Sequence, residues 1–393
     1  MAFDMGETLY EKPKSYKLWP KDGSFTALVD ADLFPYVVGF TTEEASYAKA
    51  LLRVETHECS SLEETPEFED AADHLDWLVN SWVEGAGADS ARLYITDSPG
   101  NFRLGVAFTR VYKGTRPPEK PPFFYALRKH LVQKHHAVVA TDCEADDLII
   151  IEMTRRNKEL EDQGAEIGSD THKKFSDCIA VSTDKDLRIS PGWHYDPQKK
   201  ERVWVNVLGW LDPVYKTREV NDYEYRVLCK YHDERHEDCI TYSGQAPCDP
   251  ELFKRGAKKG TAKKKRVKVG KRESQFVYKL RGAGLKFFYA QLLTGDDADN
   301  YPGCPRVGMT RAFDVLNECE TEEELYDAVL QEYAKVYGTS YMAPNHRGGS
   351  CSLTPEQMLV EQGRLAWMQQ YPGELWREDI YCPRGDEVEL WRS

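Results

Sequence analysis

The chain is 393 residues long, 41% hydrophobic and 12% aromatic, with a formal net charge of −14. That is enough apolar side chain for a sizeable core, which argues against wholesale disorder, while the charge argues against a general basic coat for nucleic acid. No apolar run reaches membrane-spanning length, no basic stretch precedes an apolar one at the start, and the ten cysteines follow no regular framework, so we expect a cytoplasmic protein with reduced thiols and no membrane partner.

Residues 1–24, polar and rich in Lys, Pro and Gly, are expected to form an N-terminal arm. Residues 25–29 then predict a buried strand ending at Asp30, with Phe34, Tyr36, Val37 and Phe40 supplying apolar surface just beyond it. A helix is predicted over 66–83, because Pro66 and early acids precede Ala71, Leu75, Leu78, Val79 and Trp82 on one face. The strand expected over 91–96 also ends on an acid, Asp97. Four cations follow (Arg103, Arg110, Lys113, Arg116), then four prolines between 117 and 122 and a helix over about 123–134. Arg103 and Arg110 are expected to be solvated surface cations.

The strand over 136–140 leads into Glu144, Ala145, Asp146 and Asp147, and a helix runs on to about Arg156. Residues 157–176 read as a charged, exposed loop. The strand over 178–183 delivers Asp184 and Asp186. Strands beginning near 25, 91, 136 and 178, separated by helical patterns, predict an α/β fold with a mainly parallel central sheet flanked by helices, spanning 25–211. One more strand is expected at 203–207.

Residues 212–280 read as a charged, partly flexible insertion. It holds Cys229, His232, His236, Cys239 and, further on, Cys248. On one continuous helix the outer pair of the first four would stand roughly 15 Å apart, too far to close a tetrahedron, so zinc is not expected there. It also holds 254–272, where eleven of nineteen residues are Lys or Arg and none is acidic, a segment expected to be mobile in the free protein. A helix over 284–293 then leads to Asp296 and Asp299. Helices are predicted over 309–317, 321–336 and 355–369, and a hairpin between 379–381 and 388–391.

Each of the four strands has acids at or just past its C-terminal end, the edge of an open α/β sheet where ligands bind. If Asp30, Asp97, Glu144, Asp146, Asp147, Asp184, Asp186, Asp296 and Asp299 converge, their repulsion reaches several kcal/mol per pair, about 4 kcal/mol at contact for a protein surface. Cations must offset it. Hard oxygen ligands at that density suit magnesium (Mg2+) or manganese (Mn2+), and two such ions form the clamp used for in-line phosphoryl displacement. Lys113 and Arg116 suit the scissile phosphate.

The Asp30 strand end, Tyr112-Lys113-Gly114-Thr115-Arg116, Glu144-Ala145-Asp146-Asp147, the run 182–186 and the turn 295–300 occur in the order seen in the flap endonuclease superfamily of 5′ nucleases. The chain most resembles the compact bacteriophage 5′→3′ exonucleases of that group, over most of 25–190 and 280–320. That resemblance implies a PIN-like 5′ nuclease fold and a two-metal-ion 5′→3′ exodeoxyribonuclease acting on duplex or nicked DNA. Its products would be 5′-phosphorylated, with flap cleavage and RNA–DNA hybrid as further options, in the cytoplasm of an infected bacterium. It places Glu144, Asp146, Asp147 and Asp97 around one ion and Asp184, Asp186, Asp296 and Asp299 around the other, with Asp30 acting through a water.

The resemblance further implies a helix–three-turn–helix DNA-binding element within 281–340, in which Gly303, Arg306, Gly308 and Thr310 meet the DNA backbone; Arg306 stands where a glycine is usual. Residues 341–393 complete the chain. With such an element next to it, the basic segment (Lys263, Lys264, Lys265, Arg266) is expected to track DNA phosphates. Phe34 and Tyr36 either stack on a terminal base or belong to the core. Relatives that thread a single-stranded flap have a helical arch where this chain has Pro117-Pro118-Glu119-Lys120-Pro121-Pro122; a stiff, extended strap there predicts an open gateway and preference for duplex 5′ ends. A PIN-like ribonuclease shares the acids, and an inactive structure-specific DNA-binding protein is the non-enzymatic alternative.

Overall fold

The first strand, β1 (Thr26–Asp30), is buried along its interior on both faces, as a central strand covered by helices on each side must be. In the computed structural model, which describes residues 25–97, 100–116, 119–215, 217–220, 265–268 and 277–385, β1 is joined by β2 (Ser90–Thr96), β3 (Val138–Ala140), β4 (Cys178–Val181), β5 (Gly192–Asp196) and β6 (Glu201–Val205) in one sheet of order β3-β2-β1-β4-β5-β6. The pairs β1–β2, β1–β4, β2–β3 and β4–β5 are parallel; β6 returns antiparallel to β5. The expected mainly parallel α/β sheet is therefore present as a mixed, mostly parallel sheet of six strands. Its order reverses between β1 and β4. The crevice at the carboxyl ends of such a switch point is where open α/β sheets bind ligands.

Alternation along β1 divides the interior. Ala27 and Val29 face a core with Phe34 of α1 (Phe34–Thr41), Leu75 and Val79 of α3 (Pro66–Ala86) and Leu127 and Leu131 of α5 (Phe124–His135), while α2 (Glu44–Glu55) packs against α3 and the short α4 (Phe102–Val106) joins the opposite core. Leu28 faces the opposite core with Ile149, Ile150 and Met153 of α6 (Ala145–Asp162). This second core continues without interruption into Phe288, Leu292, Tyr333 and Leu359. Those residues belong to helices Gly284–Thr294, Glu322–Tyr337 and Pro355–Ala366, which pack together beside Met309–Leu316. Thr354 closes a capping box with Gln357 at the last of them.

Several elements differ from expectation. The helix α6 runs on to Asp162, and α7 (Asp170–Phe175) replaces part of the expected exposed loop, because His172 is buried and hydrogen-bonds Asn157 Oδ1 at 2.7 Å. The expected strand at 203–207 is observed as Glu201–Val205. The helix expected to reach 369 ends at Ala366. Residues 379–381 are not a strand, and 388–391 lie outside the described residues; the hairpin is instead Tyr341–Pro344 with Ser350–Leu353.

Within the insertion, Lys265–Lys268 is a strand antiparallel to Thr217–Val220. The strand Val277–Ala283 pairs with Trp210–Tyr215. Lys263, Lys264, Cys229, His232, His236, Cys239 and Cys248 lie outside the described residues. Among the described residues the cysteines are free thiols, and no helix is long and apolar enough to cross a membrane.

Candidate metal centre

The site starts at the switch point. Asp30 ends β1, and Ser182, one residue past β4, donates its hydroxyl to Asp30 Oδ2 at 2.9 Å. The same hydroxyl oxygen accepts the Asp184 amide at 2.9 Å, and Asp184 Oδ1 accepts the Asp186 amide at 2.9 Å. One serine thus ties the first acid to the pair that follows β4. On the other flank Asp146, in the first turn of α6, interacts electrostatically with Asp30, Asp184 and Glu144.

The late turn closes the ring. Asp296 and Tyr301 bridge each other through backbone hydrogen bonds of 3.0 and 3.2 Å, which folds Asp296 and Asp299 back toward the sheet. Lys185 donates to Asp296 Oδ2 at 2.8 Å, and Gln291 Nε2 to Asp186 Oδ1 at 2.5 Å. Tyr112 donates to Glu144 Oε2 at 2.9 Å and reaches Asp299 Oδ2 at 3.3 Å. Lys113 pairs with Glu144 and stands 4.0 Å from Asp299, which Arg116 also holds at 3.0 Å.

The charge balance of this group is uneven. Burial pushes Asp30 up to about 7, with Asp32 and Asp184 adding to it. Burial pushes Asp186 up to about 8, with Asp184 adding and Lys185 opposing. Asp146 is driven well above the usual carboxylate range by burial, then by Glu144 and Asp30, with Lys113 opposing. Burial also raises Asp299, against Lys113. Two acids go the other way. Burial would raise Glu144, but Arg103 and Lys113 outweigh it; burial would raise Asp296, but Lys185 outweighs it. The carboxylates Asp30, Glu144, Asp146, Asp184, Asp186, Asp296 and Asp299 outnumber Lys113, Arg116 and Lys185. Such an excess of oxygen donors fits a hard divalent cation. No three of these acids bring carboxylate oxygens within 4.8 Å of one another, so holding an ion requires side chains to turn inward.

Two acids of the expected set stand apart. Asp147 is fully buried, and its oxygens accept a two-pronged bond from Arg103 at 2.7 and 2.7 Å, the Gln369 amide at 2.9 Å and the Glu144 amide at 2.9 Å. Its acceptor sites are committed to protein. In this arrangement it anchors the turn rather than facing the other acids. Asp97 is exposed at the end of β2, and among the described residues no side-chain hydrogen bond or ion pair joins it to the cluster.

Arg103 is the largest departure from the sequence reading. Expected at the surface, it is 1% exposed. Besides Asp147 it donates to the carbonyls of Leu365 at 3.1 Å and Trp367 at 2.6 Å, and to Glu144 at 3.4 Å. Tyr112, Gln291, Lys185 and Ser182 also contact the acids without being among the residues the sequence reading singles out, although Tyr112, Ser182 and Lys185 stand within the motifs. Arg110 is exposed, as expected. Phe34 is fully buried against Trp82 with ring centroids 4.6 Å apart, so of its two expected roles it takes the one in the core and not that of a stacking residue. Tyr36 is half-buried, and Lys120 donates to its hydroxyl at 2.5 Å.

In the late turn Gly303 has φ 65°, and a Cβ there would stand 2.3 Å from the Gly295 nitrogen, so only glycine fits. Arg306 is exposed with φ 68°, a left-handed backbone that costs a side chain roughly 1–2 kcal/mol. Gly308 caps the Met309–Leu316 helix, with Thr310 in its first turn.

No protein-family model and no curated protein matches the chain. Among solved structures it is similar to the bacteriophage T5 flap endonuclease in a pseudo-enzyme-product complex with DNA and metal ions, at a TM-score of 0.38 and 11% identity, covering 87% of this chain and 98% of that one. It is likewise similar to the T5 5′-exonuclease with divalent zinc bound, at a TM-score of 0.37 and 11% identity, covering 87% and 88%. Likenesses this distant carry no argument about this chain.

Proposed function

We propose that this chain is a divalent-cation-dependent 5′→3′ exodeoxyribonuclease acting on duplex or nicked DNA. The observation that carries the reading is the gathering of seven carboxylates at the switch point of a parallel sheet, with Asp30, Asp146 and Asp186 pushed above their ordinary range by burial and by neighbouring acids. Glu144 and Asp146, with Asp30 beside them, would hold one ion, and Asp184, Asp186, Asp296 and Asp299 the other. Bound divalent ions supply Lewis acidity and offset the charge that builds up in phosphoryl transfer.

The protein's own groups do the rest. Lys113 and Lys185 now neutralise Glu144 and Asp296. Once these acids turn toward cations, Lys113 is free to hold the scissile phosphate together with Arg116. Tyr112 keeps Glu144 oriented. Water attacks phosphorus, the bond to the 3′ oxygen breaks, and the leaving oxygen takes a proton, so the product carries a 5′-phosphate. Gly303, Arg306, Gly308 and Thr310 would meet the duplex backbone beyond the site, where the N-terminus of the Met309–Leu316 helix favours anions. Lys265 and Arg266 would track phosphates further along. Preference for 5′ ends rests on the motif resemblance and on the proline strap.

The test is digestion of 5′- and 3′-labelled duplex, nicked and flap substrates with and without magnesium. We expect magnesium-dependent loss of 5′ label from duplex and nicked DNA, and at least a 10²-fold slower reaction for Asp146→Asn. Undiminished hydrolysis by Asp146→Asn overturns the catalytic reading. Cleavage of long 5′ flaps severalfold faster than duplex ends overturns the open gateway.

A further inference from the structure

A second cluster of ligating side chains lies outside the acid ring, on the helices α3 and α5. Asp76 Oδ1 receives His130 Nε2 at 2.9 Å and His135 Nε2 at 2.5 Å, and Asp76 Oδ2 receives Lys134 Nζ at 2.5 Å. Five residues of helix separate the two histidines by roughly 140° around the axis, so helical spacing alone would not join them. His135 is the last residue of α5, and the chain turns off at His136 with φ 53°. The rings end with centroids 5.9 Å apart and both Nε2 atoms aimed at one point. The ligand atoms of all three side chains lie within 4.8 Å of one another.

We propose that Asp76, His130 and His135 form a transition-metal site of the zinc class that ties α3 to α5. Two imidazole nitrogens and a carboxylate oxygen suit zinc, cobalt or nickel, whereas magnesium prefers an all-oxygen set. In the hydrogen-bonded state both imidazoles carry their proton on Nε2 to share one oxygen. Binding a metal through Nε2 shifts each ring to its Nδ1–H tautomer by proton exchange with solvent, and moves the carboxylate oxygen aside to become the third ligand. The three side chains are 15–17% exposed, which leaves the fourth position for a water. Lys134, 57% exposed, either stays on the second carboxylate oxygen as an outer partner or swings into solvent. The Phe68 ring meets the His130 ring in a T-shaped contact with centroids 6.1 Å apart, limiting its rotation. Both helices are anchored in the core beneath the sheet, so the ligands start close to their bound positions.

The test titrates Zn2+ into the full chain in excess magnesium, which occupies the acid ring, and repeats the titration with Co2+ for its visible absorption. We expect His135→Gln and His130→Gln each to bind one equivalent fewer than the parent. The parent should gain ~5 °C or more in melting temperature with Zn2+, and both variants should lose that gain. The Co2+ band lost in the variants should lack thiolate charge transfer, which separates this site from the cysteines of the insertion. Circular dichroism identifies a variant that does not fold, and the other then carries the comparison. Equal Zn2+ stoichiometry in the parent and a folded variant overturns the proposal. So does loss of a band that carries thiolate charge transfer.

Discussion

Arg103 and Asp147 show how one buried pair orients the acids around it. The guanidinium joins the start of α6 to the carbonyls of Leu365 and Trp367, two regions more than 200 residues apart in sequence. Removing it would leave the buried Asp147 with two backbone amides and no counter-charge. Arg103→Met is therefore expected to cost about 3–5 kcal/mol in urea unfolding, and Arg103→Lys should not restore it, because an ammonium cannot make the fork. A loss under 1 kcal/mol would show that the pair does not anchor the turn. His194 gives the pH dependence at this scale. Burial holds its imidazole at about 4, against an ordinary 6.5, while Nε2 lies 2.8 Å from the Ser190 carbonyl. The unfolded chain takes up a proton below 6.5 and the native state does not. The contribution of His194 is thus full above 6.5 and falls by about 3 kcal/mol as pH drops toward 4, opposite in sign to that of the raised carboxylates. His194→Gln should flatten that slope in melts across this range.

The residue types of the site were legible where their density had no other explanation. Three acids in four positions after an apolar run exceed what a helix cap requires, and Glu144 and Asp146 do lie in the ring. Asp147 has the same chemistry but a different partner. Nothing in the local sequence distinguishes it, because its partner Arg103 sits in a basic stretch that reads as surface. The signal available was the mismatch itself, a third acid at a buried helix start that needs its own cation.

At the scale of elements, the strands with apolar runs were legible and β5 was not. Its sequence, Gly192-Trp193-His194-Tyr195-Asp196, hides two buried polar side chains, and Asp196 remains inside because Arg188 and Lys199 satisfy it. The helix α1 was read only as apolar surface because Pro35 and Gly39 interrupt its pattern. Gly39 has a reason to be there. A Cβ would stand 2.7 Å from the Pro122 carbonyl oxygen and 2.8 Å from the Pro121 ring, so these two prolines of the strap lie directly on the helix, while Pro117 and Pro118 lie outside the described residues. Gly39→Ala should destabilise by about 1–3 kcal/mol through overpacking and should raise protease sensitivity at the strap. A variant as stable as the parent would mean that the strap yields at no cost.

At the scale of the molecule, the sheet order explains why distant acids meet. Three parallel strands, β1, β3 and β4, deliver acids of the ring to one edge, and the reversal between β1 and β4 opens the crevice there. This was legible in outline, since acids recurred at each strand end, while the strand order that selects Asp30 and Asp184 as neighbours was not. The same gathering predicts a stability profile. Asp30 at about 7 and Asp186 at about 8 lie above the ordinary 3.8 of an aspartate. Their contribution is fully present below that ordinary value and is lost as pH rises through 7 and 8. In chelator the melting temperature should therefore fall between pH 5 and 8, and magnesium should remove the fall. A chelator profile that rises steadily over that range would contradict the charge excess.

The central claim, that the acids at the switch point hold two divalent ions, is tested most directly by anomalous diffraction from manganese-soaked crystals. The account predicts two peaks roughly 3.5–4 Å apart, one within reach of Glu144 and Asp146 and the other of Asp184, Asp186, Asp296 and Asp299, with both lysines moved off their carboxylates. A fully soaked crystal with no peak among these residues, and with Lys113 and Lys185 still paired to Glu144 and Asp296, would contradict it.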